Sequence, residues 1–196
     1  MVRDFAMKAR LTRDNNACAV FRNAFTTATT ADGVALLSNS HTSLNGSTVD
    51  NLGSGALSET TLNTAIVQML ELKTQDDVIA GNLPSCVVVP PALYKAAVEI
   101  TESELRQGTA NNDANVYSDK YGVRVYTNQF LGAAAGGSDT AWFLLSANHS
   151  IYRFVRQGVQ TDLVDYKTQR NNNYVYKGEF REVVGAMNYE GIVGNA

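Results

Sequence analysis

The sequence predicts an α+β domain, and three observations carry that prediction. Residues 58–73 place Leu62, Ala65, Ile66, Met69 and Leu70 on one face at helical spacing. Cys86-Val87-Val88-Val89 and Thr140-Ala141-Trp142-Phe143-Leu144-Leu145 are continuous apolar runs of strand length, the pattern of strands covered on both faces. Helical and extended segments follow one another without the regular alternation of a doubly wound sheet. A chain of 196 residues, 44% hydrophobic and 18% charged, has the material for one good core, or a core with a small satellite lobe.

Residues 2–25 read as helix, with Val2, Phe5, Ala6 and Ala9 in one stripe and Ala17, Val20, Phe21 and Ala24 in another. Residues 26–56 are rich in Thr, Ser, Asn and Gly, broken by the short apolar run Val34-Ala35-Leu36-Leu37. They predict a long irregular connection, a kind of loop that is usually functional or mobile in a compact domain. Ser58 caps the next helix, Glu59 suits the positive end of its dipole, and Leu57 can staple onto Leu62. Asp76-Asp77 and Gly81 close that element. Pro90 ends the strand at 86–89, and Pro91 suits the first position of a further helix from which Leu93, Ala97 and Ile100 face inward. A polar turn, Gly108 to Asn115, follows. Over Tyr121–Tyr126, Val123 and Val125 alternate with Arg124 and Tyr126, as in a half-buried strand. From Ser150 the chain is mostly extended, in runs Ile151–Val155, Val159–Val164, Tyr174–Val184 and Ala186–Val193. No internal repeat is evident.

Composition excludes several classes. No window holds 18 consecutive apolar residues, so no transmembrane helix is expected. Residues 1–25 are charged and lack the apolar centre of a secretory signal. Cys18 and Cys86 lie far apart in apolar contexts, which favours two buried thiols in a reducing compartment over one disulfide. The net charge of −3 is uneven: +3 over residues 1–25, −7 over 26–150, +2 over 151–182 and −1 in the remainder. Either this is scattered solvated charge, or the two basic segments share one lobe and the acidic middle forms another.

Tests for chemistry come out weak. The histidines are His41 and His149. A Ser–His or Cys–His enzyme needs one of them oriented by a carboxylate, and no G-x-S-x-G elbow presents a serine. Surface or hydrogen-bonded loop histidines are the better reading. Asn111, Asp113 and Asn115 imitate the first half of a calcium loop, but Val116 stands where glycine is needed and Gly122 where a bidentate Glu is needed. A turn whose Asn side chains bond their own backbone is the better account. Gly132, Gly136 and Gly137 lack dinucleotide spacing and a Walker lysine, and read as a flexible tip. Tyr152, Arg153, Phe154 and Arg156 interleave aromatics with charge, which an amphipathic strand explains, leaving a weak electrostatic role near phosphate open. No catalytic, cofactor-binding or metal-binding residue is assigned.

Several segments, in order along the chain, carry a resemblance. They are Ala9-Arg10-Leu11-Thr12-Arg13-Asp14 continuing to Ala24-Phe25, Asp32-Gly33-Val34-Ala35-Leu36-Leu37-Ser38-Asn39-Ser40-His41, Leu57-Ser58-Glu59-Thr60 and Val88-Val89-Pro90-Pro91-Ala92-Leu93. Gly108-Thr109-Ala110-Asn111-Asn112-Asp113-Ala114-Asn115 and Asp139–Leu145 complete the set. Together they resemble the major capsid (head) proteins of tailed bacteriophages, especially the Mu-like head-subunit group, which share the Hong Kong 97 fold. The first segment looks like the end of the family's long spine helix, and the second like its "DGxxLxSxxH" loop.

The resemblance implies a non-enzymatic subunit that self-assembles into an icosahedral shell around DNA. It implies a peripheral (P) domain from residues 1–45 and 150–182 and an axial (A) domain from 46–149 and 183–196. The family's N-terminal arm and E-loop have no counterpart before Ala9, so the chain looks like the C-terminal two-thirds of a capsid protein. Candidate subunit contacts are Asn111, Asn112, Asp113 and Asn115, set against a turn that touches only its own subunit. The implied partners are copies of the chain in pentamers and hexamers, packaged DNA by non-specific proximity, and scaffold, portal or decoration proteins, with no membrane. The implied location is the virion, after assembly in the bacterial host cytoplasm. The alternatives are an encapsulin-like nanocompartment shell and, more remotely, a small hydrolase using Ser40 and His41.

Overall fold

The computed structural model describes residues 2–103, 115, 117, 122–164 and 175–196. The elements run α1 (Val2–Arg22), β1 (His41–Thr42), β2 (Thr48–Val49), β3 (Leu52–Gly53), α2 (Glu59–Glu71), β4 (Pro84–Val89) and, after a 3₁₀ turn at Pro91–Leu93, α3 (Tyr94–Thr101). They continue with β5 (Arg124–Thr127), β6 (Trp142–Ser146), β7 (Ile151–Val164), β8 (Val175–Ala186) and β9 (Ile192–Asn195). A mixed five-stranded sheet in the order β3-β9-β6-β4-β5 forms the centre. The β3–β9 and β4–β5 pairs are parallel, whereas β6 runs antiparallel to both β4 and β9.

The continuous apolar runs take the middle of this sheet because each of its faces carries a core. Val87, Val89, Trp142, Leu144 and Val193 pack with Leu62, Ala65, Ile66 and Met69 of α2 and Ala97 of α3. On the other face, Phe143, Leu145 and Ile192 pack with Val20 and Ala24 at the end of α1 and with Leu36 and Leu37, and Cys86 and Val88 join them partly buried. Period-two alternation within β4 and β6 thus feeds two clusters at once, and all five residues of β6 are buried. Phe21 and Phe25 lie 5.1 and 5.8 Å from the Phe143 ring, in tilted contacts. Cys18 and Cys86 are free thiols, and burial raises the pKa of both.

The local signals of α2 act as the sequence predicts. The Ser58 hydroxyl accepts from the Thr61 amide at 3.2 Å, and the Thr61 hydroxyl accepts from the Ser58 amide at 2.9 Å, a reciprocal capping box. Leu57 packs against the cluster that holds Leu62.

Three features differ from the sequence reading. Residues 26–56 are not wholly irregular: β1 and β2 pair with each other, and β3 supplies an edge strand to the central sheet. Strands of two residues are too short to show a period. β7 is one strand of 14 residues, not two runs, because it pairs with β8 through a register irregularity around Gln157. Its polar middle reflects exposure, not a break. Ala186 ends β8 instead of opening the last strand, since residues 187–191 turn, with Gly191 at φ +78°, before β9 begins.

The β7–β8 hairpin stands outside the central sheet as its own two-stranded ribbon, with α1 packed along β8. Phe5 rests so closely on Gly178 that a Cβ there would meet the ring at 1.9 Å. Arg13 Nε donates to Glu182 Oε2 at 2.9 Å. The second apolar stripe of α1 is the buried one; in the first, Phe5 and Ala9 are half-buried and Ala6 is exposed, since only a ribbon lies beneath them.

Candidate functional site

The most heavily hydrogen-bonded polar cluster lies where the 26–56 connection meets the turn before β9. Asp32 accepts at Oδ1 from the Thr30 hydroxyl and from the Val34 amide, the latter at 3.1 Å. Its Oδ2 lies 2.6 Å from His41 Nδ1. His41 is fully buried, its Nε2 lies 3.3 Å from the Leu36 carbonyl oxygen, and its ring stacks on Tyr189 at 4.4 Å. Beside it Asn51, also fully buried, donates to the carbonyls of Leu36 (2.8 Å) and Ile192 (3.3 Å) and accepts from the Ser38 amide (2.9 Å). The Val34 and Ser38 amides and the Leu36 carbonyl of the irregular connection thus find side-chain partners here.

Desolvation pushes the Asp32 carboxyl upward, but the hydrogen bonds from Thr30, His41 and the Val34 amide outweigh it and hold its pKa below the ordinary value. The Tyr189 phenol is pushed up by burial and by the nearby carboxylates Glu190, Asp32 and Asp77. His41 therefore has the carboxylate that sequence reasoning asked of a catalytic histidine. It has no hydroxyl on its other nitrogen: Nε2 faces the Leu36 backbone, and the exposed Ser40 hydroxyl bonds Ser38. Ser40 and His41 do not form a nucleophile–base pair. His149 accepts from the Ile151 amide at 3.3 Å and shapes the turn into β7. Among the described residues, no group of three His, Cys, Asp or Glu side chains could hold a metal ion, and no helix is long and apolar enough to cross a membrane.

Of the proposed contact residues, Asn111, Asn112 and Asp113 lie outside the described residues. Asn115 is buried, with 7% of its surface exposed. Its Nδ2 donates to the Ile100 carbonyl at 2.6 Å and its Oδ1 accepts from the Tyr117 amide at 3.0 Å, so it ties its segment to the end of α3.

Two exposed apolar features stand out. On the hairpin, Tyr152 and Phe154, which the sequence places among interleaved charges, meet edge to face at 6.2 Å, with Val183 opposite Phe154. At the tip between β1 and β2, Leu44 is 79% exposed. A period-two pattern shows that such residues share a face but not whether that face is covered.

The sequence matches the model of a family described as phage capsid protein over residues 1–195. The chain belongs to the phage capsid protein family. The capsid of Myoviridae phage XM1 is a structural relative of this capsid-family chain, with a TM-score of 0.52 at 15% identity, over 99% of this chain and 64% of that one. At that identity the likeness shows the fold: this mixed sheet with its helices is a capsid architecture. A virus-like particle from Pyrococcus furiosus aligns with a TM-score of 0.49 at 10% identity, over 93% of this chain and 61% of that one. The chain thus spans less than two-thirds of the length of either capsid or particle subunit. No curated protein matches it.

Proposed function

We propose that the chain is the shell-forming part of a bacteriophage major capsid protein of the Hong Kong 97 type, structural and not enzymatic. The family match along the whole sequence carries this reading. The division into a peripheral domain (1–45 and 150–182) and an axial domain (46–149 and 183–196) is supported by two packing facts. All five strands of the central sheet come from the axial segments, and α1 packs on the hairpin through Phe5 and Arg13. That packing also brings the two basic segments of the chain together, which suits a lobe lying near packaged DNA.

Each subunit would meet others around five- and six-fold axes through many modest contacts repeated by symmetry. Asn111, Asn112 and Asp113 are our candidates for the contact around the axis, with the buried Asn115 anchoring their segment to α3. Scaffold, portal and decoration proteins are further partners of such a shell. Its place is the virion, after assembly in the host cytoplasm. Electron microscopy of the purified chain at high concentration tests this reading. Rings or closed shells are expected, and a strict monomer at every concentration would overturn it for this chain.

A further inference from the structure

We propose that Leu44 is a knob that inserts into an aromatic cavity of a second copy of this chain, making a head-to-tail contact between subunits. The inference rests on the shell reading and names one of its contacts. Two features, one beside each end of β6, carry it.

The knob is the tip between β1 and β2. Leu44 is the most exposed large apolar side chain among the described residues, at 79%. Its backbone is pinned: the Leu44 amide donates to the Gln75 carbonyl at 2.8 Å, while Ser43 and Gly46 close the turn at 2.9 Å each. A rigid tip presents an apolar side chain at little further cost in conformational entropy. The adjoining turn displays Val78 and Ile79, 62% and 63% exposed, so the tip forms a small apolar patch.

The cavity lies between the end of α1 and the start of β6. Phe21, Phe25, Leu131, Ala141 and Phe143 line it, with Arg22 at its side, around a partly open volume of about 130 Å³. An apolar cavity of roughly 150 Å³ holds a molecule the size of benzene, so this one suits the four-carbon side chain of a leucine. Charge agrees with size. Arg22 bonds the Asn15 amide oxygen and the Phe130 carbonyl, each at 2.8 Å, and has no carboxylate partner among the described residues. Beside the knob, Asp76 is exposed and has no ion partner among the described residues.

The two features cannot meet within one chain. The cavity touches Ala141 and Phe143 at the start of β6, whereas the turn at 73–81 leads into the start of β4, which pairs with Ser146 at the end of β6. An apolar side chain that fits a pocket elsewhere on the same molecule makes a heterologous contact, which propagates or closes into rings, as a shell requires.

The test mixes two variants that each add one cysteine, Leu44→Cys and Ser138→Cys, the latter in the cavity lining, under mild oxidation. A disulfide-linked dimer is expected in the mixture and in neither variant alone, with the wild type as control for Cys18 and Cys86. A third variant, Leu44→Asp, changes a site too exposed to unfold the chain. It should raise the concentration needed for assembly at least tenfold, while Leu44→Met should assemble like the wild type. No linked dimer in the mixture, or unchanged assembly of Leu44→Asp, overturns the contact. Microscopy of the same samples separates the two claims: wild-type shells without the mixed dimer sink the contact alone, and mixed dimers without closed particles sink the shell.

Discussion

Asp32 shows how a polar stretch of sequence becomes fixed structure. Its carboxylate holds the Thr30 hydroxyl, the Val34 amide and the His41 ring, so its charged form is the one the fold recognises. Asp32→Asn should therefore lower stability by about 1–3 kcal/mol, measured by urea unfolding at neutral pH. The depressed pKa adds a pH dependence with a definite sign. A carboxyl held below its unfolded value contributes stability that is fully present above about pH 4 and lost as pH falls through the folded value. Acid titration of the unfolding midpoint should fall more steeply for the wild type than for Asp32→Asn; parallel curves would refute the assignment. The burial of His41 was not legible in its sequence, since Ser-His-Thr in a polar loop gives no sign that Tyr189, far along the chain, will cover the ring.

Elements with a repeating pattern were legible, and those defined by a partner were not. The helix at 59–71 and the strands at 84–89 and 142–146 follow from apolar spacing and from the residues that start and stop them. β3 and the ends of the hairpin depend on pairing with distant segments, which no local pattern records. The segment with Asn111, Asn112 and Asp113 is legible only as polar, and polarity alone does not distinguish a segment that meets a neighbour from one that serves its own chain. Gly194 illustrates a tertiary demand hidden in a strand. A Cβ there would lie 2.1 Å from Leu37 Cδ1, in a core where Leu37 is 1% exposed. Gly194→Ala should cost about 1–3 kcal/mol from overpacking, and pairing it with Leu37→Ala should recover part of that loss. Thermal unfolding of the single and double variants checks both statements; strictly additive losses would refute the proposed clash.

At the scale of the whole molecule, one ion pair joins residues 169 positions apart. Glu182 keeps 2% of its side chain exposed, whereas Arg13 keeps 29%, so the two halves of the pair are not equivalent. Arg13→Ala leaves a buried carboxylate without its cation and should cost about 2–3 kcal/mol, more than Glu182→Gln, which leaves a partly solvated guanidinium. Faster hydrogen exchange along α1 in the first variant than in the second would show that order, and the reverse ranking would contradict it. The position of β9 has a consequence for the order of events in the cell. It lies between β3 and β6 in the sheet yet follows both in the chain, and β3 has no other strand partner among the described residues. While the chain is still being made, the 36–53 segment therefore lacks its sheet, with the carbonyl of Ile192 that Asn51 binds and the groove at Gly194 that Leu37 fills not yet present. Folding of the central layer waits for synthesis to pass residue 195. A nascent chain that has not passed residue 195 thus has both faces of its sheet unfinished, and the polar 36–53 connection stays open to water until β9 arrives.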